Sequence, residues 1–440
     1  MAALTENTPL DLEAPIRTIG TDLAARMPKP RVVSAARVER RMTEMLVKDP
    51  ELRAALFRFV DVRPACDTPQ DVTRHLHELL QDAPNSGKAR RISNITAKGA
   101  AARPVAAIAA KGVNQMAQRF IVGEDARDAL PAITRLWKQG VETTVDLLGE
   151  ATVSEVEADR YMQRCEETLR ALAAAATKPD QVNLSVKVSA LTPLLRPQAP
   201  ERGIEGARER LAHLFRVAKE VGAHLHVDME SFDTREAITA LTLDLLSTPE
   251  FAEGPSAGIV LQAYLVDSPL YLEELLEWAE NTPRKHPFTI RLVKGAYWDH
   301  EVVQAAQNGW EPPVFTDRRA CDRNYEELTK RLIDAGAGGG GIKVAIASHN
   351  LRSIAAAAAY ADAKGVGNDH LEFQILRGLG DDTQAAIAAT GRRVRAYCPV
   401  GDLVAGMAYL VRRLLENTAN DSFLAAAASG TDTAELLEAP

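Results

Sequence analysis

Cysteine is scarce in this sequence and never clustered. Cys66, Cys165, Cys321 and Cys398 stand far apart, with no CxxC pair and no interleaved histidine at metal-ligand spacing. A disulfide framework and a zinc ribbon are both excluded, and reduced thiols in a cytosolic protein are expected. No stretch approaches 18 uncharged apolar residues, so no segment is expected to cross a membrane. The opening residues Met1-Ala2-Ala3-Leu4-Thr5-Glu6-Asn7 lack the basic region and apolar core of a signal peptide. Positive charge is not in excess: 52 Lys and Arg against 60 Asp and Glu leave −8, which argues against a general nucleic-acid-binding surface. With 46% hydrophobic and 25% charged residues over 440 positions, the chain reads as an ordinary soluble protein with room for one large barrel and an accessory piece.

Pro28, Pro30, Pro50, Pro64 and Pro69 break the first part of the chain into short helices, and Ala83-Pro84-Asn85-Ser86-Gly87 reads as a linker. Residues 93–120 are an Ala-rich helical run carrying Lys98, Arg103, Lys111 and Arg119. A regular alternation follows. Strand patterns at 141–148, 182–190, 223–229, 257–265, 288–294, 343–349, 371–376 and 392–399 are separated by helical patterns near 156–177, 205–221, 234–247, 268–280, 318–335, 351–364, 381–390 and 402–416. This order predicts an α/β fold, a (βα)8 TIM-type barrel over residues 89–424. Residues 1–88 form an N-terminal helical arm and accessory region, and residues 425–440 a flexible Ala-, Ser- and Thr-rich tail. An open doubly wound sheet would need a glycine fingerprint after its first strand, and none is there. Gly336-Ala337-Gly338-Gly339-Gly340-Gly341 satisfies GxGxxG, but it follows a helix and precedes a strand. A dinucleotide loop needs the reverse order, with a helix N-terminus facing the pyrophosphate. The segment is read as an αβ connection.

Barrel chemistry sits at the C-terminal ends of the strands. Alternation along the second strand puts Lys187 with Asn183, Ser185 and Ser189, pointing into the barrel near its upper rim. Three roles stay open for it on this ground: a structural lysine, a Schiff-base nucleophile, or a cation for a substrate carboxylate. His224, His226 and Asp228 share a face of the third strand, but the histidines lie deep and lack a third ligand in register, so no metal is expected. The fourth strand ends at Gln262 and the sixth at Ala347-Ser348-His349-Asn350, with no nucleophile elbow for a serine hydrolase. Near the carboxyl end, Tyr409, Arg412, Arg413 and Glu416 fall within one arc of roughly 100° on a helix. Met407, Leu410, Val411, Leu414 and Leu415 cover the opposite side. Two guanidinium forks matched to a carboxylate, with Glu416 one turn on to hold their rotamers, suit an anionic small molecule. A solvated face with an internal ion pair is the alternative.

That helix, Arg291-Leu292-Val293-Lys294-Gly295-Ala296-Tyr297-Trp298, Leu184-Ser185-Val186-Lys187-Val188-Ser189-Ala190-Leu191 and Ala396-Tyr397-Cys398-Pro399-Val400 together resemble the proline dehydrogenase family. The likeness is greatest to the flavin-containing half of its bifunctional bacterial members of the proline utilisation A type. It runs from about Ile92 to Leu424, with a weaker likeness to those proteins' helical arm before it. The resemblance implies FAD as cofactor and oxidation of L-proline to Δ1-pyrroline-5-carboxylate by hydride transfer from C5 to flavin N5, the first step of proline catabolism to glutamate. It also implies a quinone as electron acceptor, reached by peripheral contact at the inner face of the cell membrane. Functional coupling to a pyrroline-5-carboxylate dehydrogenase is implied too, whose domain is not expected in this chain; nor is a ribbon-helix-helix DNA-binding segment.

By the same resemblance Lys187, Asp228 and Arg291 are the catalytic residues, with Asp228 supporting Lys187. Lys187, Arg412 and Arg413 would clamp the proline carboxylate. Leu292, Ala296, Tyr397, Tyr409 and Glu416 would complete the substrate site. The flavin would be held by Asp228, Met229, Gln262 (donating to the pyrimidine oxygens), Arg291, Val293, Lys294, Gly295, Ala296, Trp298 (an adenine platform), Thr316, Arg318, Ser348 and His349. Two positions depart from the family pattern. Asp317-Arg318 stands where a basic pair is usual, and Asp317 would weaken flavin binding if it faced the pyrophosphate. Arg377 replaces a common histidine or tyrosine. A lysine-dependent lyase or aldolase, and a non-catalytic proline-binding chain, remain as rival readings.

Overall fold

A computed structural model describes residues 11–28, 49–96, 120–149, 152–338, 341–402, 406 and 431–440. Eight strands close into one parallel barrel in chain order: β1 (Glu142–Leu147), β2 (Asn183–Val186), β3 (His224–Val227), β4 (Ser256–Gln262), β5 (Phe288–Val293), β6 (Ile342–Ala347), β7 (Leu371–Leu376) and β8 (Val394–Val400). β8 pairs back onto β1 over six residues, from Glu142–Arg395 to Leu147–Val400. The expected fold class is therefore the observed one.

The strands alternate as a closed barrel requires. Leu184, Val186, Leu225, Val227, Ile259, Leu261, Ile290, Leu292, Ile346, Phe373 and Ala396 are buried in the aliphatic layer beneath the helices. The inward set is polar. Low in the barrel His224 meets Ser256 Oγ through Nδ1 at 2.8 Å and His226 Nδ1 through Nε2 at 3.2 Å, while Arg395 grips Glu372 at 2.8 and 3.0 Å. Burial, aided by the nearby Arg395 charge, pushes His224 down to about 3, so it is neutral.

Helices surround the barrel, and their ends follow local chemistry. α1 (Glu13–Arg26), α2 (Pro50–Val62), α3 (Pro69–Gln81) and α4 (Gly87–Thr96) precede it. α3 opens with a capping box, the Thr68 side chain and Asp71 each taking the other's backbone N–H. A second apolar cluster joins Leu52, Phe59, Leu76 and Leu80 of these helices to Leu148 and Leu379, just past β1 and β7. Around the barrel run α5 (Ala126–Lys138), α6 (Glu155–Ala175), α7 (Pro200–Val221), α8 (Phe232–Leu246), α9 (Ser268–Asn281), α10 (Trp298–Asn308), α11 (Arg318–Ala337), α12 (Leu351–Lys364) and α13 (Asp381–Ala389).

Three expectations change. The second strand ends at Val186 and turns into a 3-10 turn at Val188–Ala190, because the chain leaves the sheet as soon as the barrel rim is reached. An unexpected helix, α10, follows β5; it has no side-chain N-cap and closes on Gly309 at φ 68°, a C-terminal signal the sequence did carry. The expected flexible tail is divided. Its residues 425–430 lie outside those described, but α14 (Thr433–Leu436) and Leu437 return to the barrel. Leu437 is 1% exposed and lies where a Cβ on Gly20 of α1 would approach within 2.3 Å. Arg352 fastens both ends: it takes Glu13 of α1 bidentately at 2.7 Å, Glu326 of α11 at 2.8 Å and the Leu437 carbonyl at 3.1 Å. The glycine-rich segment joins α11 to β6, as an αβ connection does.

Candidate active site

At the C-terminal rim the strands converge on two ion pairs, one buried and one half-buried. Lys187, just past β2, donates to Asp146 of β1 in a very short contact; its backbone N–H is held by the Tyr161 hydroxyl at 3.3 Å. Burial alone would push this ammonium down, but the charges of Asp146 and Asp228 outweigh it and hold Lys187 above the ordinary lysine value. Burial pushes Asp146 up against the pull of Lys187.

The second pair lies across the barrel interior. Arg291 of β5, 3% exposed, donates to Asp228 Oδ1 at 2.6 Å and to Ser185 Oγ at 3.1 Å. Tyr397 of β8 donates its hydroxyl to Asp228 Oδ2 at 2.7 Å, and the guanidinium lies 5.4 Å from the centre of its ring. Burial and the carboxylates of Asp146 and Asp228 push the Tyr397 phenol far up, so it stays a donor. Asp228 thus serves Arg291 and Tyr397. Its expected support of Lys187 takes the form of a nearby charge, while the hydrogen-bonded partner of the ammonium is Asp146.

Leu292 is also corrected. Since Arg291 points into the barrel, its neighbour points out, and Leu292 is fully buried in the aliphatic core. It cannot enclose a ligand at the rim.

The loops above β4 and β5 form a second region. Gln262 donates an amide N–H to the Glu230 carbonyl at 2.8 Å, which fixes its orientation and leaves its buried oxygen without a partner among the described residues. That oxygen is a free acceptor, and the second hydrogen of the same amide remains available for the expected donor role. Met229, next to Glu230 in sequence, is 8% exposed. Val293 closes β5 and leads to Lys294, which makes a very short contact with Asp322; Arg318 lies 3.7 Å from the same carboxylate. Gly295 sits at φ 129° with the Tyr264 ring 2.3 Å from where a Cβ would be, so backbone alone fits there. Ala296 and Thr316 are exposed nearby in sequence. Trp298 is 41% exposed, yet its indole N–H is fixed on the Phe315 carbonyl at 2.9 Å, leaving an oriented aromatic face. Asp317 does not threaten an anion there, because it caps α11 through the Arg319 and Ala320 N–H groups and leans toward Arg323 at 3.7 Å.

Past β6, Ser348 accepts the Asn350 N–H at 3.0 Å and His349 Nε2 accepts the Leu376 N–H at 3.1 Å. These residues lie on the same rim. Arg377, the second departure, follows β7 and donates its backbone N–H to the Tyr397 carbonyl at 3.0 Å. Tyr409, Arg412, Arg413 and Glu416 lie outside the described residues. The sequence reading missed Asp146, Tyr161 and Asp322. Asp146 was within its reach, because Glu142, Thr144 and Asp146 alternate on β1 as Lys187 does on β2.

A flat polyaromatic cofactor with a phosphate tail suits these residues: an unfilled buried acceptor, a buried guanidinium, a glycine that admits close approach, two cations and an indole face. The family description Proline dehydrogenase matches residues 129–426, and Proline utilization A N-terminal domain matches 13–120. The bifunctional protein PutA of Escherichia coli is 33% identical over 328 residues, covering 71% of this chain and 24% of that protein. The proline dehydrogenase of Deinococcus radiodurans is 31% identical over 309 residues, covering 70% of this chain and 88% of that one. Among solved structures, proline utilization A from Bdellovibrio bacteriovorus inactivated by N-propargylglycine is similar with a TM-score of 0.85 at 34% identity, covering 98% of this chain and 44% of that one. The chain spans about a quarter of the length of the bifunctional relatives it matches. On a match that takes in more than half of its residues, the chain belongs to the proline dehydrogenase family.

Proposed function

We propose that this chain oxidises L-proline to Δ1-pyrroline-5-carboxylate with a bound FAD. The observation that carries the reading is the pair of charge-matched contacts largely withdrawn from water at one rim, Lys187 with Asp146 and Arg291 with Asp228 and Tyr397. Lys187, with Arg412 and Arg413, would bind the substrate carboxylate; Asp146 and the Tyr161 hydroxyl fix where its ammonium sits. Tyr397, Tyr409 and Ala296 would border the ring, with Glu416 steadying the arginines. Bound at the rim, the flavin supplies a two-electron acceptor for the substrate's C5–H bond. Arg291, held by Asp228, is the cation that would face the negative charge gained by the cofactor. The Gln262 oxygen would take a ring N–H. Met229, Val293, Gly295, Ser348 and His349 would border the rest of the cofactor, with Lys294, Thr316 and Arg318 at its phosphates and Trp298 at its adenine.

Three cations around one carboxylate, with the ring bordered on its other sides, would turn encounter into a near-attack geometry. The lysine-nucleophile reading loses ground on the electrostatics. A Schiff-base lysine must be neutral to attack, and Asp146 holds Lys187 protonated. A quinone as electron acceptor, peripheral contact with a membrane and coupling to a pyrroline-5-carboxylate dehydrogenase belong to the same proposal. Among the described residues no helix is long and apolar enough to cross a membrane.

The test is an absorbance spectrum of the purified protein before and after anaerobic addition of L-proline. Flavin bands that bleach with proline are expected. Bands that persist would leave a flavin barrel without this activity, and a colourless protein that takes up no added flavin would end the reading.

A further inference from the structure

The first turns of α8 and α10 bring together three residues that the rim chemistry does not use. One ligand atom each of Asp233, His300 and Glu301 lies within 4.8 Å of the other two; Asp233 and His300 are exposed and Glu301 is buried. Glu301 is 2% exposed, and one of its oxygens accepts the Phe232 N–H at the start of α8 at 2.8 Å. Among the described residues no donor or cation pairs with its other oxygen. Nor does a lysine or arginine pair with Asp233 among them: Arg235, on the same turn, is taken bidentately by Asp267 at 2.6 and 2.7 Å. A buried carboxylate with one oxygen that no protein donor takes among the described residues therefore stands beside a second carboxylate and an imidazole.

We propose that Asp233, His300 and Glu301 bind one divalent cation of the zinc class, with a fourth position open to water. Two carboxylates and one imidazole are a donor set that such ions take, whereas calcium and magnesium prefer oxygen alone. Metal–ligand distances of about 2.0–2.2 Å require the three atoms to close in by roughly 1 Å. Rotation of the exposed Asp233 and His300 side chains supplies that movement, while Glu301 is already fixed by its hydrogen bond. The ion would tie the first turn of α10 to that of α8, two helices that follow different strands.

The experiment is isothermal titration of ZnCl2 into the full chain after chelator treatment, repeated with His300→Ala and Asp233→Asn. Both substituted residues are exposed, so neither variant endangers the fold; Glu301 is left alone because it caps α8. One saturable equivalent is expected, bound at least tenfold more weakly by each variant, with zinc raising the Tm of the parent only. Absence of a saturable equivalent overturns the site, as does equal affinity in parent and both variants, which would put the ion elsewhere. Magnesium binding as tightly as zinc would overturn the part assigned to the imidazole.

Discussion

Lys187 concentrates the residue-scale argument. Its side chain is only 15% exposed, and a cation so largely withdrawn from water is costly unless paired, so its place at the rim depends on Asp146. Replacing it with methionine keeps the length and removes the charge. Lys187→Met is expected to raise the KM for L-proline roughly ten- to hundred-fold, the equivalent of about 1.4–2.8 kcal/mol, with flavin content unchanged. Steady-state kinetics alongside flavin quantification checks this; loss of flavin with the charge would assign Lys187 to the cofactor. The residue's position was legible from alternation along its strand. Its partner was not, because pairing across strands depends on register, and register is a property of the closed sheet.

At the scale of elements, Arg352 at the start of α12 joins α1, α11 and the segment after α14. Its side chain is 6% exposed and the Glu326 side chain it binds is 11% exposed. Cutting a buried pair leaves a buried charge uncompensated, at a cost of about 3–5 kcal/mol. Arg352→Met is therefore expected to release α1 before the barrel, seen as lost hydrogen-exchange protection over Glu13–Arg26 with the strands still protected. Unchanged exchange in α1 would show that the apolar contact of Leu437 on Gly20 holds the helix without the arginine. None of this clasp was legible in a tail rich in Ala, Ser and Thr, since a short helix becomes stable only through the surface it meets. The barrel helices were legible for the opposite reason. Each has a long apolar face, as in α7 with Ala207, Leu211, Leu214, Phe215 and Ala218 buried.

For the molecule as a whole, the polar barrel interior sets the response to acid. His224 is neutral in the fold, at about 3 against an ordinary 6.5. Between those values the unfolded chain binds the extra proton, so stability falls as pH drops from 6.5 toward 3, by up to about 1.4 kcal/mol per pH unit. Glu372 adds to this lower down. Burial would raise it, but Arg395 and Arg393 hold it far below the ordinary 4.5, so its contribution is present above 4.5 and is lost as pH falls below it. Urea unfolding at pH 7.0, 5.5 and 4.5, compared with His224→Gln, is expected to show a shallower pH slope in the variant. Equal slopes would place the acid sensitivity on other groups.

The sequence by itself determined the barrel, because eight short strand patterns separated by long amphipathic helices leave few other ways to bury both faces of a parallel sheet. It also marked Lys187 by alternation along its strand, and Asp228, Arg291, Lys294, Trp298 and Tyr397 through the family resemblance of the motifs that carry them. Only the tertiary structure decided which charge meets which. Asp146 took Lys187, Asp228 was shared by Arg291 and Tyr397, Leu292 turned to the core, and Asp233 met His300 and Glu301 across two helices. Those pairings act over a few ångströms between residues tens to hundreds of positions apart, and nothing in local periodicity records such distances.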